Sequence, residues 1–222
     1  MSENLEHLRF LLEKRNVGTD FHLMQVKKWL AFDGGRNLDN VLVYAAFELR
    51  CAIERLAFEI LFIAKDMELT PEEEDRCKSI KGTLELLGEV EPNYRKRAQF
   101  TNLASLLHPQ MPRIAIIDIK FIKRKWHEIS DYCHHHFRPA ETWGSSSREF
   151  QINGFKLLKE TYDQIMKWLL NGKLGVVDKS SMEPEVREVY QKFLADEIDE
   201  EQVKLRLKIA EPVLESRMRA KK

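Results

Sequence analysis

Residues 126–137 read WHEISDYCHHHF and contain four of the chain's seven histidines. Histidine changes charge near neutrality, so this set could bind a metal ion, move protons or face phosphate. A carboxylate, Asp131, and a thiol, Cys133, lie among the imidazoles. Which chemistry is open to them depends on how the segment is rotated. At about 100° per residue on a helix, Ile122, Trp126, Ile129, Cys133 and His136 fall on one side, bordered by Tyr132 and Phe137. That side is the expected core face, with His136 a packed histidine and Cys133 a small apolar filler. The opposite side carries Lys120, Arg124, His127, Asp131, His134 and Arg138, with His135 at its margin.

The same spacing weighs against a metal centre. His127 and His134 are seven residues apart, about 10 Å along a helix axis, too far for one zinc ion with bonds of about 2 Å. A site would need Asp131, one histidine and ligands from another helix, such as His108 or His22. No metal is expected. No cofactor is expected either, because the sequence lacks a Walker loop, GxGxxG, GxSxG and HExxH.

Charge points elsewhere. Lys+Arg and Asp+Glu number 36 each, so any attraction for an anionic partner must come from local segregation. YRKR at 94–97 and KFIKRKW at 120–126 are basic, and Asp118 is the sole acid in 92–125. The preceding stretch, 66–91, is acidic. Basic clusters interleaved with aromatics and leading into histidines suit nucleic-acid phosphate. The candidate contacts are Arg95, Lys96, Arg97, Lys120, Lys123, Arg124, His127, His134 and Arg138.

The elements that must position these residues all read as helices. Residues 3–16 place Leu5, Leu8, Leu11 and Leu12 at helical spacing, and a second helix spans 19–32 before DGG. Asn37 is the expected cap of a long apolar helix reaching residue 65. On that helix Glu48, Arg55 and Glu59 share one edge, with Arg50 and Glu54 nearly opposite, so these charges are expected to be paired. TPEE at 70–73 is a capping-box start, for a helix ending near Gly88, and a separate one is predicted from Pro92 to Pro109. RIAIIDI at 113–119 is the single β-like piece, too short to found a sheet. The histidine helix ends at Pro139, and Ser147 caps the next, which runs to Asn171. Two charged helices follow at 184–197 and 200–219, with Asp199 and Gln202 as a capping pair and Pro212 as a kink.

The expected fold class is all-α. Residues 1–175 form a multi-helix up-and-down bundle, and 180–222 an appended C-terminal helical hairpin that packs on the bundle or mediates self-association. Three scattered cysteines and an acid-bearing start without an apolar signal core point to a cytoplasmic protein. Five ionisable groups within the most apolar run exclude a membrane span there.

AAFELRCAIERLAFEIL at 45–61, followed by WHEISDYCH at 126–134 and a closing amphipathic helix, resembles HEPN-like helical bundles over residues 38–171. The resemblance implies a small prokaryotic defence, toxin–antitoxin or stress protein, with ribonuclease activity in some members. Nuclease members carry an Arg and a His with four to six residues between them, late in the bundle. No such pair lies in 38–171; Arg15 and His22 in RNVGTDFH match literally but straddle Gly18.

Three functional readings follow. The first is a non-catalytic helical-bundle protein that binds RNA or DNA through the basic face. The second is a metal-independent endoribonuclease, with His127 or His134 as acid–base and Arg124 or Arg138 stabilising phosphate. The third is a protein-only interaction or regulatory module, whose partner is another protein or a second copy of the chain.

Overall fold

A computed structural model describes residues 18–106, 113–134, 147–176 and 182–220. The predicted first helix and residues Arg15, His108, His135, His136, Phe137 and Arg138 lie outside the described residues. Within them the chain forms eight helices and no strand, an all-helical bundle: α1 Thr19–Asp33, α2 Asp39–Ala64, α3 Pro71–Arg76, α4 Ile80–Ser105, α5 Ile119–Cys133, α6 Ser147–Asn171, α7 Pro184–Leu194 and α8 Glu200–Ala220. No described helix is long and apolar enough to cross a membrane.

The central element is α2, free of Gly and Pro, which packs against α1, α4, α5 and α6. Leu42, Leu49, Ile53, Leu56, Ile60 and Leu61 are fully buried along it. Its charges pair as their spacing predicts: Arg50 Nε with Glu54 Oε1 at 2.9 Å, and Arg55 Nε with Glu59 Oε1 at 3.0 Å. Glu48 instead meets His22 Nδ1 of α1 at 2.7 Å.

The expected cap of α2 is replaced. Gly34 and Gly35 take positive φ after α1, as does Asn37, whose amide Nδ2 donates to the Gly35 carbonyl. The buried Asp33 carboxylate accepts instead from the backbone N–H of Asn37 (3.0 Å) and Leu38 (2.7 Å). A residue of α1 thus ties down the start of α2.

The capping box at Thr70 and Glu73 forms in both directions. Its helix, however, stops at Arg76, and Ser79 caps α4 by accepting from Gly82 N–H at 3.1 Å. Only glycine fits at position 82, where a Cβ would stand 2.2 Å from the Arg76 carbonyl oxygen. Contrary to the predicted break, α4 runs unbroken through Gly88 and Pro92. Leu84, Leu86 and Leu87 before the proline and Tyr94 after it enter one core, so tertiary burial outweighs the lost backbone bond.

The extended stretch 113–118 finds a single parallel bridge, Ile114 to Lys173, and no sheet. The Asn102 side chain bonds both the N–H (2.7 Å) and the carbonyl (3.0 Å) of Ile114. The α7–α8 hairpin packs on α4 through a smaller core in which Phe100 and Leu103 of α4 meet Tyr190, Phe193, Val203 and Leu207. Asp199 and Gln202 cap α8 reciprocally, and α8 continues through Pro212.

Candidate nucleic-acid interface

Three contacts fix the rotation of α5. Asp118 caps it by accepting from Phe121 N–H at 3.0 Å. On one flank the Trp126 indole N–H donates to Glu54 Oε1 at 2.8 Å, and the Arg50 guanidinium lies 4.9 Å over the same ring. On the other, Phe121 meets Trp168 edge-on and Tyr132 stacks on Phe150, both partners belonging to α6. Ile119, Ile122, Ile129 and Cys133 therefore point inward and are buried. Trp126 and Tyr132 are half-buried at the borders.

Lys120, Lys123, Arg124, His127 and His134 are all exposed, together with Asp131. Glu128 moderates the face, holding Lys125 at 2.6 Å and Arg124 at 3.6 Å. Lys120 and Lys123 form no ion pair among the described residues. They line a groove of about 430 Å³ with Ile119 and, across it, Leu84, Glu85, Gly88 and Glu89 of α4. The Arg76 guanidinium, 2.8 Å away, holds the Glu89 carboxyl below its ordinary range. Glu85 and Glu89 thus make the groove itself an unfavourable seat for an anion.

The basic cluster of α4 is placed differently. Arg95 is exposed and pairs with Glu91 at 2.8 Å. Lys96 reaches the hairpin, meeting Asp196 at 2.5 Å and the Leu194 carbonyl at 3.2 Å. Arg97 turns inward, 6% exposed, and donates to the Ala64 carbonyl at 3.1 Å and to Asp66. Of the three, Arg95 alone keeps an exposed side chain. Arg138 lies outside the described residues.

Sequence reasoning missed the Glu54–Trp126–Arg50 lock that sets the phase of the face. Its local half, the Arg50–Glu54 spacing, was visible; the contact across 72 residues was not. His22 is occupied by Glu48, and no cluster of three metal-ligating side chains occurs among the described residues.

Fold and site together define a helical bundle bearing a cationic, histidine-containing helix face. This chain matches no family model, no curated protein and no solved structure.

Proposed function

We propose that this protein is a non-catalytic helical bundle that binds RNA or DNA by seating the phosphate backbone on the outer face of α5. The carrying observation is that Lys120, Lys123, Arg124, His127 and His134 are exposed together on one rigidly positioned helix. Backbone phosphate needs cations spaced along a surface rather than a pocket, and a chain of zero net charge must supply them locally. The HEPN-like texture of 45–61 and 126–134 is in keeping with a helical bundle of this kind and would place it among prokaryotic defence or stress proteins.

Titrating a short fluorescent RNA across a salt series tests it. Affinity is expected to fall linearly on logarithmic axes, and Lys120→Ala with Arg124→Ala should flatten that slope by about 2. An unchanged slope removes the surface.

One observation favours a second reading. His127 and His134 share the exposed face with Arg124, which a metal-independent ribonuclease would use as acid–base and phosphate contact. Cleavage of total RNA in EDTA, lost in His127→Ala plus His134→Ala, is the result that reading requires. Intact RNA with the wild-type protein eliminates it.

A further inference from the structure

A diagonal row of side chains joins α1 to the cationic face of α5. On α2, Tyr44, Phe47 and Arg50 stand three residues apart, so each neighbours the next along one inclined row. At the α1 end the Tyr44 ring stacks on Trp29, with centroids 5.1 Å apart and planes 19° from parallel. Trp29 meets Phe32 edge-on at 6.3 Å, and the Arg36 guanidinium lies 5.3 Å over the Phe32 ring. At the other end the Arg50 guanidinium covers Trp126 of α5, whose ring lies 4.9 Å from that of His127. Phe32, Tyr44 and Phe47 are 59%, 52% and 55% exposed, whereas Trp29, Arg50 and Trp126 are half-buried.

The charges beside the row favour an anion. Glu48 and Glu54, the acids of α2 next to it, are already held, the first by His22 and the second by Arg50 and the Trp126 indole. Arg36 gives its hydrogen bonds to the Phe32 and Asp33 carbonyls, which leaves its charge without a carboxylate. Lys28, exposed and one helical turn before Phe32, forms no ion pair among the described residues. Cations therefore stand at both ends of the exposed rings: Lys28 and Arg36 at one, the α5 face at the other.

We propose that this row is the base-stacking half of the α5 site, so that the ligand is a single-stranded nucleic acid. The inference rests on the phosphate-binding reading of α5 and names the form of nucleic acid that it takes. A duplex keeps its bases inside and would leave the rings idle. An apolar protein partner would bury Arg36 and Arg50 against no counter-charge. A single strand offers a π-face for each ring and a phosphate for each cation. Phe47 has no ring partner among the described residues, and Tyr44 has Trp29 alone, so both can accept a base. Every base has such a face, so the preference is for strandedness rather than sequence.

One fluorescent strand, made as RNA and as DNA, is titrated beside its own duplex at several salt concentrations. The single strand is expected to bind at least about tenfold more tightly than the duplex. Of the two strands, the one bound more tightly names the source of the ligand. Tyr44→Ala with Phe47→Ala should weaken single-strand binding by about tenfold or more and keep the salt slope, since no charge is removed. Urea unfolding checks that this variant is folded. A strand carrying 5-iodouracil, irradiated with the wild-type protein, should crosslink to Tyr44, Phe47 or Trp29. Equal affinity for strand and duplex, an unaffected double variant, or crosslinks confined to α5 overturns the inference and leaves the phosphate seat on α5 standing. Absent or salt-insensitive binding of strand and duplex alike overturns the α5 reading and this inference with it. If the double variant is unfolded, the crosslink and the strand-to-duplex ratio decide.

Discussion

Ile129→Ala should destabilise the protein by about 2–5 kcal/mol, whereas His127→Ala, two residues earlier, should change stability by less than about 0.5 kcal/mol. Ile129 is fully buried in the main core, and His127 is exposed. The cost at Ile129 belongs in the upper part of that range. The helix cannot slide inward to fill the cavity while Trp126 is bonded to Glu54 and Tyr132 is stacked on Phe150. Urea unfolding reads both substitutions, with an unchanged dependence on denaturant confirming that the comparison is one of native stability. Equal losses at the two positions would mean that α5 is rotated away from the described phase. The cationic face would then lose its exposure.

The two sides of α5 were legible in the sequence because helical period and side-chain polarity are both local. The same holds for the Thr70–Glu73 box, the Asp199–Gln202 pair and the salt links of α2, whose partners are three or four residues apart. What escaped the sequence depends on residues far apart along the chain. Pro92 looks like a helix end until Leu87 and Tyr94 are seen entering one core. With the helix broken there, YRKR has no defined inward side, and its three cations count equally as surface. Continuity of α4 supplies the missing phase: Tyr94, Arg97, Ala98 and Thr101 form an inner stripe at spacings of three and four. The bond from Lys96 to the Leu194 carbonyl spans 98 residues, so no local pattern announces it. Asn37 failed as a cap for a related reason: it takes positive φ one residue before the helix boundary, its side chain turns back to the Gly35 carbonyl, and Asp33 of the preceding helix holds its backbone N–H.

Arg97→Ala should cost about 2–3 kcal/mol of stability while leaving RNA affinity and its salt slope unchanged in the folded protein. The Arg97 guanidinium donates to the carbonyl of Ala64, at the last turn of α2, where no intrahelical donor remains. Truncation strips that partner from a half-buried site and removes a long stem from between α2 and α4. The bond to Asp66 contributes less, because its carboxylate is 71% exposed and stays hydrated when the arginine is gone. Arg97→Met separates the two parts: it restores most of the packing and none of the hydrogen bonding, so its stability should fall between alanine and wild type. Lys120→Ala plus Arg124→Ala should give the reciprocal pattern, with near-native unfolding and a flattened salt slope, since both side chains stand in solvent. Urea unfolding and RNA titration on the three variants therefore separate a structural cation from the proposed binding cations. Loss of RNA affinity without loss of stability in Arg97→Ala would transfer the binding surface from α5 to α4.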